Sequence, residues 1–80
     1  MIGLYKTLRR CDSHDYRHFR CFAISKDDAR CAFCKNNMIS LSYHHQEIEF
    51  TQECTGEAAK RICLTSQWFM TDAALKEAEA

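Results

Sequence analysis

The chain has 80 residues, eleven Lys and Arg against eleven Asp and Glu, and a hydrophobic share of 46%. That is one small domain of balanced charge, too short to hold a large preorganised cleft. Two glycines and no proline exclude a loop-rich or disordered chain, and no run has the length of a membrane span or the layout of a secretory leader.

Residues 2–10 predict a first strand, with Ile2, Leu4 and Leu8 on one face and Lys6 interrupting them. Cys11, Asp12, Ser13, His14 and Asp15 make a polar turn. Residues 16–24 predict a second strand. Phe19, Cys21 and Ala23 share one face; Tyr16, His18, Arg20, Phe22 and Ile24 share the other. One face is expected to be core and the other a half-exposed contact surface. The short turn makes the pair an antiparallel hairpin.

Ser25 followed by Lys26, Asp27 and Asp28 is a helix start, with a capping hydroxyl and two acids where the helix dipole favours them. Cys31, Cys34, Met38 and Leu41 follow at helical steps with Phe33 beside them, and the helix is expected to end between Lys35 and Ile39. Residues 40–46 read as helix or loop. Residues 47–54 alternate as a third strand, with Ile48, Phe50 and Cys54 pointing one way and Glu47, Glu49, Thr51 and Glu53 the other. Thr55 opens a second helix that buries Ala59, Ile62 and Cys63. Thr65, Ser66 and Gln67 break it, and Thr71 and Asp72 cap a short last helix after the apolar cluster of Trp68, Phe69 and Met70. The expected fold is a single α+β domain over residues 1–80, in β-β-α-β-α order with a short third helix. An antiparallel sheet is covered on one side by two helices.

With no secretory leader read in the first residues, the six cysteines are expected in a reducing, cytoplasmic setting. There they are core residues, metal ligands or redox groups before they are disulfides. Cys11 and His14 form one close pair, Cys31 and Cys34 another, with sixteen residues between the pairs. Two such pairs, one in a turn and one on a helix face, are what a tetrahedral zinc site requires. Residues 11–34 resemble treble-clef or zinc-ribbon modules. They depart from them in lacking a glycine or proline after the turn cysteine, and in placing the helix pair about a turn late. His18, Cys21, His44, His45, Cys54 and Cys63 are alternative ligands. The competing assignment makes the cysteines ordinary core thiols. A reactive disulfide motif is disfavoured because Cys31 lies more than a turn inside its helix.

Residues 1–35 carry eight Lys and Arg against four Asp, and residues 36–80 carry three against seven acids. Either the surface is divided by sign or the fold brings the halves together and cancels them. Lys6, Arg9, Arg10, Arg17 and Arg20, interleaved with aromatics, are candidates for holding phosphates and stacking bases. Glu47, Glu49 and Glu53 form an acidic strand face that protects a sheet edge or meets a basic partner. No nucleophile turn, phosphate loop or helical metalloprotease motif is present, so an enzyme is not expected.

The small, cysteine-bearing, linker-free layout with a basic and an acidic face resembles the host-takeover proteins of phages and mobile elements, including anti-CRISPR proteins. That resemblance is one of layout, carried by no motif. It implies an inhibitor that covers the surface of a larger protein or ribonucleoprotein complex handling nucleic acid. The alternative is a zinc-stabilised nucleic-acid-binding module. A homo-oligomer joined through Trp68, Phe69 and Met70 is the third option.

Overall fold

The structure is a computed structural model that describes residues 1–10, 16–35 and 48–80; for residues 8–10, 16–19, 34 and 35 it gives the backbone. The elements run β1 (Ile2–Arg10), β2 (Tyr16–Ala23), α1 (Lys26–Lys35), β3 (Ile48–Cys54), α2 (Gly56–Thr65), β4 (Phe69–Met70) and α3 (Asp72–Glu79). The sheet order is β3-β1-β2-β4. β1 pairs antiparallel with both neighbours, and β4 adds to β2 in parallel at Cys21 and Phe22. The small α+β domain expected from the sequence is therefore present, with a fourth strand where only an apolar cluster was read.

Each helix begins on the residue its sequence marks. Ser25 Oγ accepts the Asp28 amide at 3.1 Å, Thr55 Oγ1 the Ala58 amide at 3.1 Å, and Thr71 Oγ1 the Ala74 amide at 3.1 Å. These bonds satisfy amides that the first helical turn leaves without partners.

The helices are not all on one side of the sheet. Alternate residues of β1 and β2 feed two cores. Tyr5, Cys21 and Ala23 pack with Ile48 and with Ala29 and Phe33 of α1. Ile2, Leu4 and Phe22 pack with Ala59 of α2 and Ala74 of α3. The second strand thus has no half-exposed contact face over residues 21–23, since Cys21, Phe22 and Ala23 are all fully buried. Both faces were apolar in the sequence, and both are covered.

Two further expectations are corrected. Among the described side chains of α1 the buried ones are Ala29 and Phe33, four residues apart, while Cys31 is exposed. A phenylalanine removes far more apolar surface from water than a thiol does, so it decides which way the helix faces. In β3, Ile48 and Cys54 do not share a face. The register shifts by one residue between Leu4 and Tyr5, leaving Thr51 as an extra residue on β3. A one-residue bulge reverses the alternation beyond it. Ile48 joins the α1 core and Cys54 the α2–α3 core.

α2 and α3 meet through Gly56. A Cβ built there would lie 2.7 Å from Ala78 Cβ and 2.8 Å from Ala78 Cα. Gly56→Ala should therefore lower stability by about 2 kcal/mol, the usual overpacking cost, despite alanine's better helix propensity. Thermal unfolding checks this; a midpoint equal to or above wild type would contradict the close approach.

Candidate interaction surface

Among the described residues β3 is an outer strand, and past Ile48 both of its faces meet water. Ile48 is buried, and Glu49, Phe50, Thr51, Gln52 and Glu53 are all exposed. Glu49 stands opposite Lys6 and Glu53 opposite Gly3, so the bulge at Thr51 sets the two carboxylates on opposite faces of the strand, and the single acidic face expected for them is not formed. Lys6 Nζ lies 3.8 Å from Glu49 Oε2, with the lysine side chain 28% exposed and the glutamate 65%. So the basic and acidic halves of the chain do meet at this point. An exposed pair of this kind contributes at most about 1 kcal/mol.

Phe50 is 44% exposed yet held in place. Its ring meets Tyr5 edge-on, centroids 5.4 Å apart and planes at 64°. It also lies over Gly3, where an added Cβ would fall 2.6 Å from Phe50 Cε2. The missing side chain at Gly3 makes the seat for the ring.

At the other side of the sheet, Arg20 is not a free cation. Its guanidinium carbon sits 5.1 Å from the centroid of the Trp68 ring. Arg9 stands opposite Arg17 in the ladder and Arg10 opposite Tyr16. Beside β4, Cys63, Leu64, Trp68, Met70 and Leu75 line a groove of about 410 Å³, with Leu64 87% exposed.

The helix starts of α1 and α3 are joined. Thr71 Oγ1 donates to Asp28 Oδ2 at 2.5 Å, and the Ile24 amide donates to the same oxygen at 3.0 Å. The Thr71 amide donates to the Phe22 carbonyl at 2.9 Å. Thr71 is buried, so its hydroxyl serves two elements at once. Thr71→Val keeps the shape and loses both hydroxyl bonds. It should cost about 2 kcal/mol, and a double-mutant cycle with Asp28→Ala should give a coupling of about 1 kcal/mol. Additive losses in denaturant titrations would show the two groups to be independent.

Of the expected zinc ligands, Cys31 is exposed on α1 and Cys34 lies one helical turn further along the same helix. Cys11 and His14 lie outside the described residues, as does Glu47 of the acidic face. Among the described residues no three His, Cys, Asp or Glu side chains converge as a metal ion would need. The buried Cys21 is different in kind. Burial first, then the Asp28 carboxylate, then Cys63, push its thiol from the ordinary 9.0 up to about 12.

The sequence reading found Glu49 and Glu53 but missed Phe50 and Leu64 as exposed apolar groups. Phe50 falls on the same side of its strand as Ile48, which reads as core, and only its edge position leaves it in water. No helix among the described residues is long and apolar enough to cross a membrane. Comparison with protein families, with curated proteins and with solved structures finds no match to this chain.

Proposed function

We propose that the chain is a non-catalytic binding protein that blocks a larger nucleic-acid-handling complex through direct protein contact. This is the role that its likeness in layout to phage and mobile-element inhibitors implies. The observation that carries it is the exposed acidic edge at β3, with Glu49 and Glu53 in water around a seated Phe50. Carboxylates repel a phosphate backbone and attract a basic protein surface. The cations that would favour nucleic acid are partly engaged, Lys6 with Glu49 and Arg20 with Trp68.

The test is a pull-down from bacterial lysate with nuclease treatment, run beside Glu49→Lys/Glu53→Lys. A partner retained after nuclease and lost, or weakened about tenfold, by the charge reversal supports this reading. A partner that disappears with nuclease, or that ignores the reversal, rejects it.

The second reading, a zinc-stabilised nucleic-acid module, is favoured by one observation: Cys31 is exposed, as a ligand-forming thiol can be and a core thiol is not. That reading requires about one zinc per chain, released by Cys31→Ser, and unfolding on chelation. With Lys6 and Arg20 engaged, its affinity for DNA should fall with salt at a log–log slope of about −3. Metal-free protein with no salt-sensitive DNA or RNA binding removes it.

A further inference from the structure

We infer that the outward face of α2 and α3 is a contact between two copies of this chain, related by a twofold axis that runs along the groove between the two helices. This goes beyond the proposed function and does not rest on it. The helices lie side by side in opposite directions. Gly56 at the start of α2 meets Ala78 near the end of α3. One turn on, Lys60 Nζ lies 3.8 Å from Glu79 Oε1. Further along, Leu64 shares the groove of about 410 Å³ with Leu75. That groove lies beside β4, at the end of the sheet order away from β3.

The face carries two apolar groups in water and a charge pattern of two signs. Leu64 is 87% exposed and Leu75 39%, and Trp68 and Met70 line the groove between them. Exposed apolar groups gathered at a groove and rimmed by charges mark a contact site. Lys60, Arg61 and Leu64 of α2 are all exposed, as are Asp72, Leu75 and Glu79 of α3. Spacings of three and four residues put each set on one side of its helix. So Leu64 is flanked by cations and Leu75 by acids.

That pattern selects the occupant. Rotating a copy by half a turn about the groove exchanges the helices, so α2 of one chain lies on α3 of the other. Positions at the same height along the axis then meet. Leu64 lands on Leu75 of the second copy, and Lys60 on its Glu79. Four leucines close over the groove, and the two Lys60–Glu79 pairs become one ring of alternating sign. An axis running across the helices would instead set the cationic side on itself and the acidic side on itself, which repels. A surface that complements itself is what a twofold contact needs. A foreign partner would have to bring the same two leucines and the same charges at the same spacing.

Sedimentation of the full chain from about 1 to 500 μM, the range in which a modest contact between small chains dissociates, tests this. The mass should rise from one chain to two, and the thermal midpoint should rise with concentration. Leu64→Glu should weaken the dimer at least about a hundredfold with the fold intact by circular dichroism, because the side chain is exposed in one copy and buried between two. Lys60→Glu should weaken it about tenfold by setting four carboxylates in the ring, and Lys60→Glu/Glu79→Lys should recover most of that loss. A single-chain mass throughout overturns the inference. A dimer that ignores Leu64→Glu overturns this face, and a double variant no better than Lys60→Glu overturns the axis. A monomer whose nuclease-resistant pull-down partner is lost with Leu64→Glu would make a foreign protein the occupant, which rejects the second copy and leaves the proposed function standing.

Discussion

Replacing Phe22 by alanine should leave the chain largely unfolded near body temperature. Phe22 is fully buried in β2 and sits in the core shared with Ile2, Leu4, Ala59 and Ala74. Its ring lies 6.2 Å from the Trp68 ring, and its carbonyl receives the Thr71 amide. It therefore joins the sheet, β4 and the start of α3. Truncating a buried phenylalanine costs about 3–5 kcal/mol, against a total of roughly 4–12 kcal/mol for a domain of this size. The midpoint of thermal unfolding should fall by about 15–30 °C, at 4–8 °C per kcal/mol for a short chain. Circular dichroism checks it. A fall of less than 5 °C, within the roughly 4–8 °C that one kcal/mol moves a small domain, would mean the core closes around the gap far more readily than a three-layer packing allows.

Alkali should undo the fold through Cys21. The unfolded thiol ionises at the ordinary 9.0, while the folded one keeps its proton to about 12. Between those values the native state holds a proton that the unfolded state has lost. Stability is therefore complete below pH 9 and falls as pH rises, by about 1.4 kcal/mol per unit and roughly 4 kcal/mol in all. Tyr5 acts with the same sign, because burial first, then Cys21 and Asp28, raise its phenol above 10.0. Urea denaturation from pH 8 to pH 11 measures the slope. Cys21→Ala lowers stability at every pH but removes the titrating thiol, so its slope should be shallower by half or more. An identical slope in that variant would place the alkaline sensitivity elsewhere.

Much of the fold was legible where one residue type has one local use. Alternation marked β1 and β2, and Ser25, Thr55 and Thr71 marked three helix starts. What was not legible depends on distant partners. The Thr51 bulge leaves no trace in composition, yet it moves Cys54 to the opposite core from Ile48. The two residues of β4 are too few to show a period. Cys31 reads as a core residue by spacing, but it is exposed because the helix turned toward the larger Phe33. At the candidate surface, the exposure of Glu49 and Glu53 could be read from alternation, but their placement on opposite faces could not, because the Thr51 bulge sets it. That Lys6 and Arg20 are engaged could not, because Glu49 and Trp68 lie far along the chain from them.

The central position of β1 has a consequence for the order of synthesis. β1 leaves the ribosome before both of its strand neighbours, and its second neighbour, β3, begins only at Ile48. The layer that seals Ile2 and Leu4 is finished only with α3. A nascent chain therefore exposes an unsealed hairpin until α3 has been made, and the core around Ile2 and Leu4 closes late.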